Sequence, residues 1–336
     1  MASGAEIPTH TGAIIARKPG GAEVLEWAEL PLAPPGPGEV LIRHEAIGLN
    51  FIDTYFRSGL YPWPGAVLIP GAEAAGVVIA VGEGVTLKPG ARVAYLERTG
   101  ADVHYRVMPA DRLFLLPDGI TADLAASVLL KGLTAEALVS TVAPVREGQV
   151  VLVHAAAGGV GLLLGQWIAS LGARAIGTVG SAEKARLALD HGYDAVIEYR
   201  HEDVAARVAD LTGGALCDRV FDSVGKDTWR GSLESLKPRG HLVSFGQASG
   251  PITGFQVSDL AKGSKTLSRP VVFDYLTTQE ERAARAAALF HRLADGRLKA
   301  GAAARYRLQD AAEAHRALES RATSGAAVLI PENPSL

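Results

Sequence analysis

One cysteine in 336 residues, Cys217, is too little for a disulfide framework or a cysteine-based metal cluster within the chain. It lies in the apolar run 215–224, and its expected place is the core. Charge of one sign is also missing as a feature: a net charge of −3 with signs interspersed gives no basic stripe, so electrostatics do not point to nucleic acid as the main ligand. Residues 1–21 scatter charges among small residues without an apolar h-region, which argues against a secretory signal and for a cytoplasmic protein. Internal repeats and low-complexity tails are lacking as well. What is left, at 48% hydrophobic and 21% charged residues, is an ordinary globular balance with length enough for two domains and a large core.

A further absence is the most informative. No Lys, Arg, Asp or Glu lies between Glu147 and Arg174, and Gly161 to Gly165 spells GxxxG, so a membrane span is one reading. The glycines sit in the middle of the run, His154 and Gln166 are polar, and no second comparable span is evident, which favours a buried strand, a glycine turn and a helix. Gly158, Gly159 and Gly161 would let backbone N–H groups approach a pyrophosphate at the helix's positive end. The GxGxxG template is met only in part, because its first glycine falls on Ala156.

The rhythm of the chain changes along its length. From Thr11 to about residue 129, short alternating strands such as 40–47 and 76–81 are punctuated by Pro and Gly, so this half is expected to be mainly β. From about Lys131, strands at 149–153, 174–179, 195–198, 218–221 and 241–245 alternate with helices at 160–171, 182–191, 202–211 and 228–236. That pattern predicts an α/β domain with a parallel, doubly wound sheet and right-handed crossovers, completed by a strand near 265–272. An amphipathic helix at 278–295, a short helix at 309–320 and a strand at 326–330 follow, and return to the first domain.

The corner after the second strand of the doubly wound half reads Thr178-Val-Gly-Ser-Ala-Glu-Lys184. A site built for NAD usually places an acid there for the ribose hydroxyls, whereas NADP sites put cations at the same corner. Thr178 and Val179 carry no acid, and Ser181 and Lys184 could meet a 2′-phosphate. The competing reading makes Ser181 a helix N-cap and leaves Lys184 solvated.

Longer runs carry a family resemblance. They are Gly48-Leu-Asn-Phe-Ile-Asp-Thr-Tyr-Phe-Arg-Ser-Gly-Leu-Tyr-Pro62, Pro70-Gly-Ala-Glu-Ala-Ala-Gly76, Leu130-Lys-Gly-Leu-Thr134 and His154-Ala-Ala-Ala-Gly-Gly-Val-Gly161. Asp222-Ser-Val-Gly225, Ser244-Phe-Gly246, Ser268-Arg-Pro270 and Glu319-Ser-Arg-Ala-Thr323 add to them. Over nearly its whole length the chain resembles the zinc-independent quinone oxidoreductases, related to zeta-crystallin, of the medium-chain dehydrogenase/reductase superfamily. The resemblance implies a GroES-like, mainly β catalytic domain from residues 1–129 and 273–336, an inserted Rossmann NADPH-binding domain at 130–272, an active site in the cleft between domains, and a homodimer. It implies that Ser181, Lys184, Tyr199 and Arg321 hold the 2′-phosphate, with Gly180 beside them, and that Gly158, Gly159 and Val160 line the pyrophosphate. Asn50, Tyr55, Thr134, Ser223, Phe245, Gly246, Gln247 and Arg269 fall around the rest of the cofactor.

Zinc-dependent relatives carry Cys where this chain has Asn50, His where it has Ala72, and Cys near Leu130 or Lys131, and the segment 95–107 has no cysteine for a structural zinc lobe. Without a Lewis acid, hydride delivery suits an acceptor whose incoming charge is already stabilised. A quinone gives a phenolate-like anion, with a conjugate acid near the pKa of about 10 of a Tyr side chain, and an enone gives an enolate. Asn50, Tyr55 and Tyr61 are the polar candidates for positioning the acceptor or supplying a proton, against simple packing of the tyrosines on the loop 62–64. Asp53 reads equally as an acid or a structural hydrogen-bonder; Lys131 reads as a cleft residue or a solvated helix-start residue; His154 reads as a core histidine rather than a base. The expected function is NADPH-dependent quinone reduction, by hydride or electron transfer from the nicotinamide in a metal-free cleft. The rivals are an NADPH-dependent enone or 2-alkenal reductase and, in a different class, a crystallin-like structural or RNA-binding protein.

Overall fold

The computed structural model describes residues 7–320 and 324–332. In chain order its elements are β1 (His10–Ile15), β2 (Glu26–Pro31), β3 (Glu39–Leu49), α1 (Phe51–Arg57), β4 (Glu73–Val81), β5 (Arg92–Leu96), β6 (Tyr105–Pro109), β7 (Leu113–Leu115) and α2 (Ala122–Ala137). There follow β8 (Val150–Val153), α3 (Gly159–Ser170), β9 (Arg174–Val179), α4 (Ala182–Leu189), β10 (Ala195–Glu198), α5 (Val204–Leu211), β11 (Cys217–Asp222), α6 (Trp229–Glu234), β12 (Leu236–Ser244) and β13 (Thr266–Ser268). The chain closes with α7 (Gln279–Ala294), β14 (Ala304–Arg307), α8 (Ala311–Glu319) and β15 (Ala327–Ile330). Two compact units result, one from Met1–Leu130, Thr277–Phe290 and Ala300–Leu336, the other from Lys131–Leu276 and His291–Lys299.

The first unit is a seven-stranded sheet in the order β14-β15-β3-β4-β5-β7, with β6 on β3 and a separate β1-β2 pair. The long strand β3 is paired along one side by β4 and along the other by β6 and then β15, so almost none of its residues reaches solvent. Its apolar side chains Val40, Ile42, Ile47 and Leu49 join Val78, Val93, Tyr95, Leu308 and Leu329 in one core. The mainly β expectation for the stretch from Thr11 to about residue 129 is met, with α1 and the start of α2 as the α-helices described within it. Helix α1 is only seven residues long and gains its start from Asn50 as N-cap and Asp53 in the first turn, with Arg57 at its C-terminal end. Helix α2 continues in a further helical turn, and the stretch Ala122–Val142 is long and apolar enough to cross a membrane by length and composition, but its most apolar window is mostly buried inside the protein.

In the second unit the parallel sheet runs β10-β9-β8-β11-β12-β13, the 3-2-1-4-5-6 order of a doubly wound dinucleotide fold. Strand β8 is a continuous apolar run, Val150-Val-Leu-Val153, as expected of a strand buried on both faces, whereas β11 carries the buried Asp218 and Asp222 and the half-buried Arg219. Two boundaries depart from expectation. Strand β12 begins five residues early, at Leu236, through an irregularity between its pairs with Cys217 and Arg219 where Arg239 takes a positive φ of 63°. Strand β13 ends at Ser268, because Pro270 has no N–H to continue a ladder. Cys217 is completely buried, and burial pushes its thiol up to about 12, so it is inert packing as expected.

Candidate active site

The carboxyl ends of the parallel strands bring together most of the residues singled out in the second half of the sequence. The switch point of the sheet lies between β8 and β11, and the glycine turn follows β8 there. Ala155 takes the left-handed conformation, φ 54°, and Gly158 caps α3 without a side chain. By helix geometry the first-turn N–H groups of Gly159 and Val160 have no carbonyl within their own helix, and they are the donors an anion would use. Gly161 is needed for packing: a Cβ there would lie 2.4 Å from the Ala155 carbonyl oxygen. Further along, Gly165 packs on the Tyr193 ring, 2.4 Å from where a Cβ would sit, and Tyr193 donates its hydroxyl to the Gly161 carbonyl at 2.6 Å. The GxxxG spacing therefore lets α3 pack closely on the turn at Ala155 and Ala156 and on the segment His191 to Tyr193 before β10. Gly161→Ala is expected to cost about 2 kcal/mol or more, because only backbone can yield; urea unfolding checks it, and an unchanged midpoint would contradict the packing argument.

At the next corner Gly180 ends β9. A Cβ on it would lie 2.8 Å from Tyr199 Oη and 3.5 Å from Arg200 Nε, so a phenol and a guanidinium from the end of β10 lean over a residue without a side chain. Ser181 is the N-cap of α4, its Oγ accepting the Lys184 N–H at 3.4 Å, which puts Lys184 in the first turn of that helix. Ser181 is thus a cap, and its neighbours form a cationic corner open to a phosphate. Arg200 was not singled out in the sequence, since it lies one residue past the Tyr199 that was. Arg321, expected at the same corner, lies outside the described residues.

Ser223 follows β11, and Phe245, Gly246 and Gln247 follow β12. Gly246 sits against Ser223, whose carbonyl oxygen a Cβ would approach to 2.6 Å. Beneath these turns is a buried polar brace. Asp222, fully buried, accepts from the N–H groups of Val224 (2.8 Å) and Gly225 (3.0 Å) and from the hydroxyls of Thr228 (2.7 Å) and Ser232 (2.8 Å). Because Ser232 gives its proton to Asp222, its oxygen must accept from His154 Nε2 at 3.0 Å, and His154 Nδ1 then accepts from Thr178 Oγ1 at 3.0 Å. This pairing is that of a neutral ring, which burial favours by holding the His154 pKa below its usual value against the pull of Asp222. It joins β8, β9, β11 and α6 as a core histidine. Thr134 is half-buried in α2, and Arg269 donates to the Pro270 carbonyl at 3.1 Å.

The first unit holds Asn50, Tyr55 and Tyr61 together through α1. Tyr55 is buried and meets Tyr61 edge-on, ring centroids 5.4 Å apart, with Phe51 at 6.5 Å from Tyr55. Tyr61 also packs edge-on against Phe56 at 5.4 Å and belongs to a small apolar cluster with Ala16, Leu68 and Trp63. The tyrosines thus form part of an aromatic cluster to which the loop 62–64 contributes Trp63, so the packing reading holds for Tyr61. Asp53 Oδ2 accepts the Asn50 backbone N–H at 2.8 Å, which gives it the structural role. Of the two readings of Lys131, the solvated helix-start residue is overturned: it is 6% exposed in the interior of α2. Glu73, fully buried beside Ala72, had drawn no attention in the sequence. It accepts from Asn50 Nδ2 at 2.8 Å and from the Leu130 N–H at 2.6 Å, partners 23 and 57 positions away.

Known proteins match this architecture throughout. The family described as "Alcohol dehydrogenase GroES-like domain" matches residues 36–118, and that described as "Zinc-binding dehydrogenase" matches residues 159–290. A quinone oxidoreductase of Pseudomonas aeruginosa is 50% identical, covering 93% of this chain and 97% of its own. The chain belongs to the quinone oxidoreductases of the medium-chain dehydrogenase/reductase superfamily. Within that family the crystal structure of Escherichia coli quinone oxidoreductase complexed with NADPH superposes with a TM-score of 0.93 at 45% identity, covering 95% of this chain and all of the other. A 2-haloacrylate reductase of Burkholderia is 39% identical over 95% of this chain and 99% of its own.

Proposed function

We propose that this quinone oxidoreductase homologue reduces quinones with NADPH. The observation that carries the reading is the corner at Gly180, where Tyr199, Arg200 and the first turn of α4 surround a position without a side chain and no acid ends β9. An acid would suit NAD; a cationic, hydroxyl-lined corner suits the 2′-phosphate of NADP. The residues assigned to the cofactor are Gly158, Gly159 and Val160 for the pyrophosphate, Gly180, Ser181, Lys184, Tyr199 and Arg321 for the 2′-phosphate, and Asn50, Tyr55, Thr134, Ser223, Phe245, Gly246, Gln247 and Arg269 for the remainder. When bound, NADPH supplies the hydride.

The protein's own contribution is placement and the handling of charge. Backbone N–H groups at the start of α3 neutralise pyrophosphate at no cost in side-chain order, and the Asp222 brace keeps the turns around Ser223 and Gly246 rigid. Asn50, Tyr55 and Tyr61 are assigned to the reaction itself, with the aromatic cluster matching a flat conjugated acceptor and a tyrosine hydroxyl or solvent protonating the phenolate-like product. By the resemblance, Asn50, Ala72 and Leu130 or Lys131 fall where zinc-dependent relatives carry their ligands, and the Cys, His and Cys of that set are all missing. The reading includes a cytoplasmic enzyme acting as a homodimer, for which the edge strand β13 is a candidate for pairing.

A second reading, reduction of an activated carbon–carbon double bond, has one observation in its favour, the likeness to a 2-haloacrylate reductase. NADPH oxidation over quinones, enones and aldehydes, with and without chelator, separates the two. Quinones are expected to be the best acceptors, with no effect of chelator. NADPH is expected to bind at least about tenfold more tightly than NADH, and Lys184→Ala to remove most of that difference. Equal affinities for the two nucleotides would sink the 2′-phosphate assignment.

A further inference from the structure

The pairing of β3 with β4 sets Gly48 directly across from Glu73. A side chain at 48 is impossible, because its Cβ would lie 2.3 Å from Glu73 Oε1 and 2.2 Å from the Ala126 carbonyl oxygen. The Glu73 side chain lies over that gap, and each of its oxygens takes a donor of a different kind. Oε2 accepts the Leu130 backbone N–H at 2.6 Å, a donor whose direction the helix fixes. Oε1 accepts the Asn50 side-chain nitrogen at 2.8 Å, and the same nitrogen donates to the Gly48 carbonyl at 3.2 Å.

A carboxylate can only accept, and so can a backbone carbonyl, so the Asn50 amide nitrogen must face both and its two N–H groups are spent. The amide oxygen is turned the other way, to the start of α1, where Asn50 and Asp53 form a capping box. A carbonyl oxygen has two lone pairs, so it can serve the helix start and still accept from a ligand.

We infer that Glu73 is a positioning residue that fixes the polarity of the Asn50 amide, so that Asn50 meets its ligand as an acceptor, holding a hydroxyl or amide N–H of the cofactor, and not as a donor to the oxygen of the substrate. The inference deepens the proposed function and rests on it for the identity of the ligand. It assigns the developing phenolate's hydrogen bond to some group other than Asn50.

Glu73→Gln tests the polarity without emptying the site. The Leu130 N–H must still be accepted, so the introduced amide gives it its oxygen and turns its nitrogen on Asn50, whose amide must then flip. Asn50→Asp alone sets two carboxylates against each other. Combined with Glu73→Gln it restores an acceptor facing outward, with donor and acceptor exchanged across the pair. NADPH affinity, measured by titration, is expected to fall on the order of tenfold in each single variant. The double variant is expected to bind more tightly than either single one. Additive losses in the double variant, or an unchanged affinity in Glu73→Gln, would overturn the inference. A readout independent of cofactor comes from asparagine labelling with nitrogen-15, because the chain has two asparagines, Asn50 and Asn333, and Asn333→Ser identifies the signal. In the protein without ligand the Asn50 amide protons are expected to exchange with solvent far more slowly than those of free asparagine, and Glu73→Gln is expected to speed them. Exchange at the free rate in the unmodified protein would also overturn the inference. Failure of the unmodified protein to bind NADPH would instead sink the cofactor reading and leave the amide measurement to decide the positioning.

Discussion

Replacing Asp222 with alanine is expected to remove about 4 kcal/mol of stability, enough to unfold a marginal domain. The magnitude follows from what the carboxylate satisfies. Two backbone N–H groups and two hydroxyls converge on it with no exposure to solvent, and truncation strands all of them in a low-dielectric interior. Asp222→Asn keeps one oxygen for the backbone pair but turns an N–H toward a hydroxyl that is free to rotate, so it is expected to lose roughly half as much. Urea unfolding of both variants measures the difference. A loss under about 1 kcal/mol for alanine would mean that the brace is dispensable. Since Ser223 is the next residue, the alanine variant is also expected to bind nucleotide weakly even where it stays folded.

The second large effect lies in the first unit. Asp102 is 1% exposed, Gly71 approaches it so closely that a Cβ would meet its Oδ1 at 2.2 Å, and its Oδ2 has no hydrogen-bond partner. Burial pushes its carboxyl from 3.8 up to about 7. The folded protein therefore holds a proton between about pH 4 and pH 7 that the unfolded chain has released. Stability from this group is full below pH 4 and is lost as the pH rises toward 7, a change of roughly 4 kcal/mol. Two histidines work in the opposite sense. Burial holds His44 and His315 at about 3, so each favours the folded state increasingly as the pH rises from 3 to 6.5. Asp102→Asn isolates the carboxyl: the difference in stability between variant and parent is expected to grow in the variant's favour from pH 4 to 7 and then level. A difference that does not vary with pH would show that Asp102 is ionised in the fold.

The doubly wound half was legible because short strands alternate there with helix-length segments, each with its own period. The half built on β3 was less so. Helix α1 is too short for a period to declare itself, and Phe51 to Arg57 reads as easily as a strand end; its Asn50 and Asp53 cap was the signal available. Of the candidate site, the glycine turn and the Gly180 corner followed from local pattern. Glu73 and the Asp222 brace did not, because their partners are brought in by strand pairing and helix packing from distant parts of the chain. The solvated reading of Lys131 fails because the helix extends on both sides of it, from Ala122 to Ala137, which a run of Leu, Gly and Thr does not announce.

The first unit is assembled from both ends of the polypeptide, with β15 paired to β3 across some 280 positions of sequence. A ribosome therefore releases β3 with one side of its last residues unpaired, and keeps it so until some 280 further residues have been made. The second unit, whose sheet is continuous in sequence, has every strand available earlier. Synthesis thus imposes an order, with the nucleotide fold able to form first and the β3 sheet closing last over a large loop-closure entropy. A chain that stops short of Ala327 would carry an open strand edge built from Ile47, Gly48 and Leu49, a template for aggregation rather than a smaller enzyme.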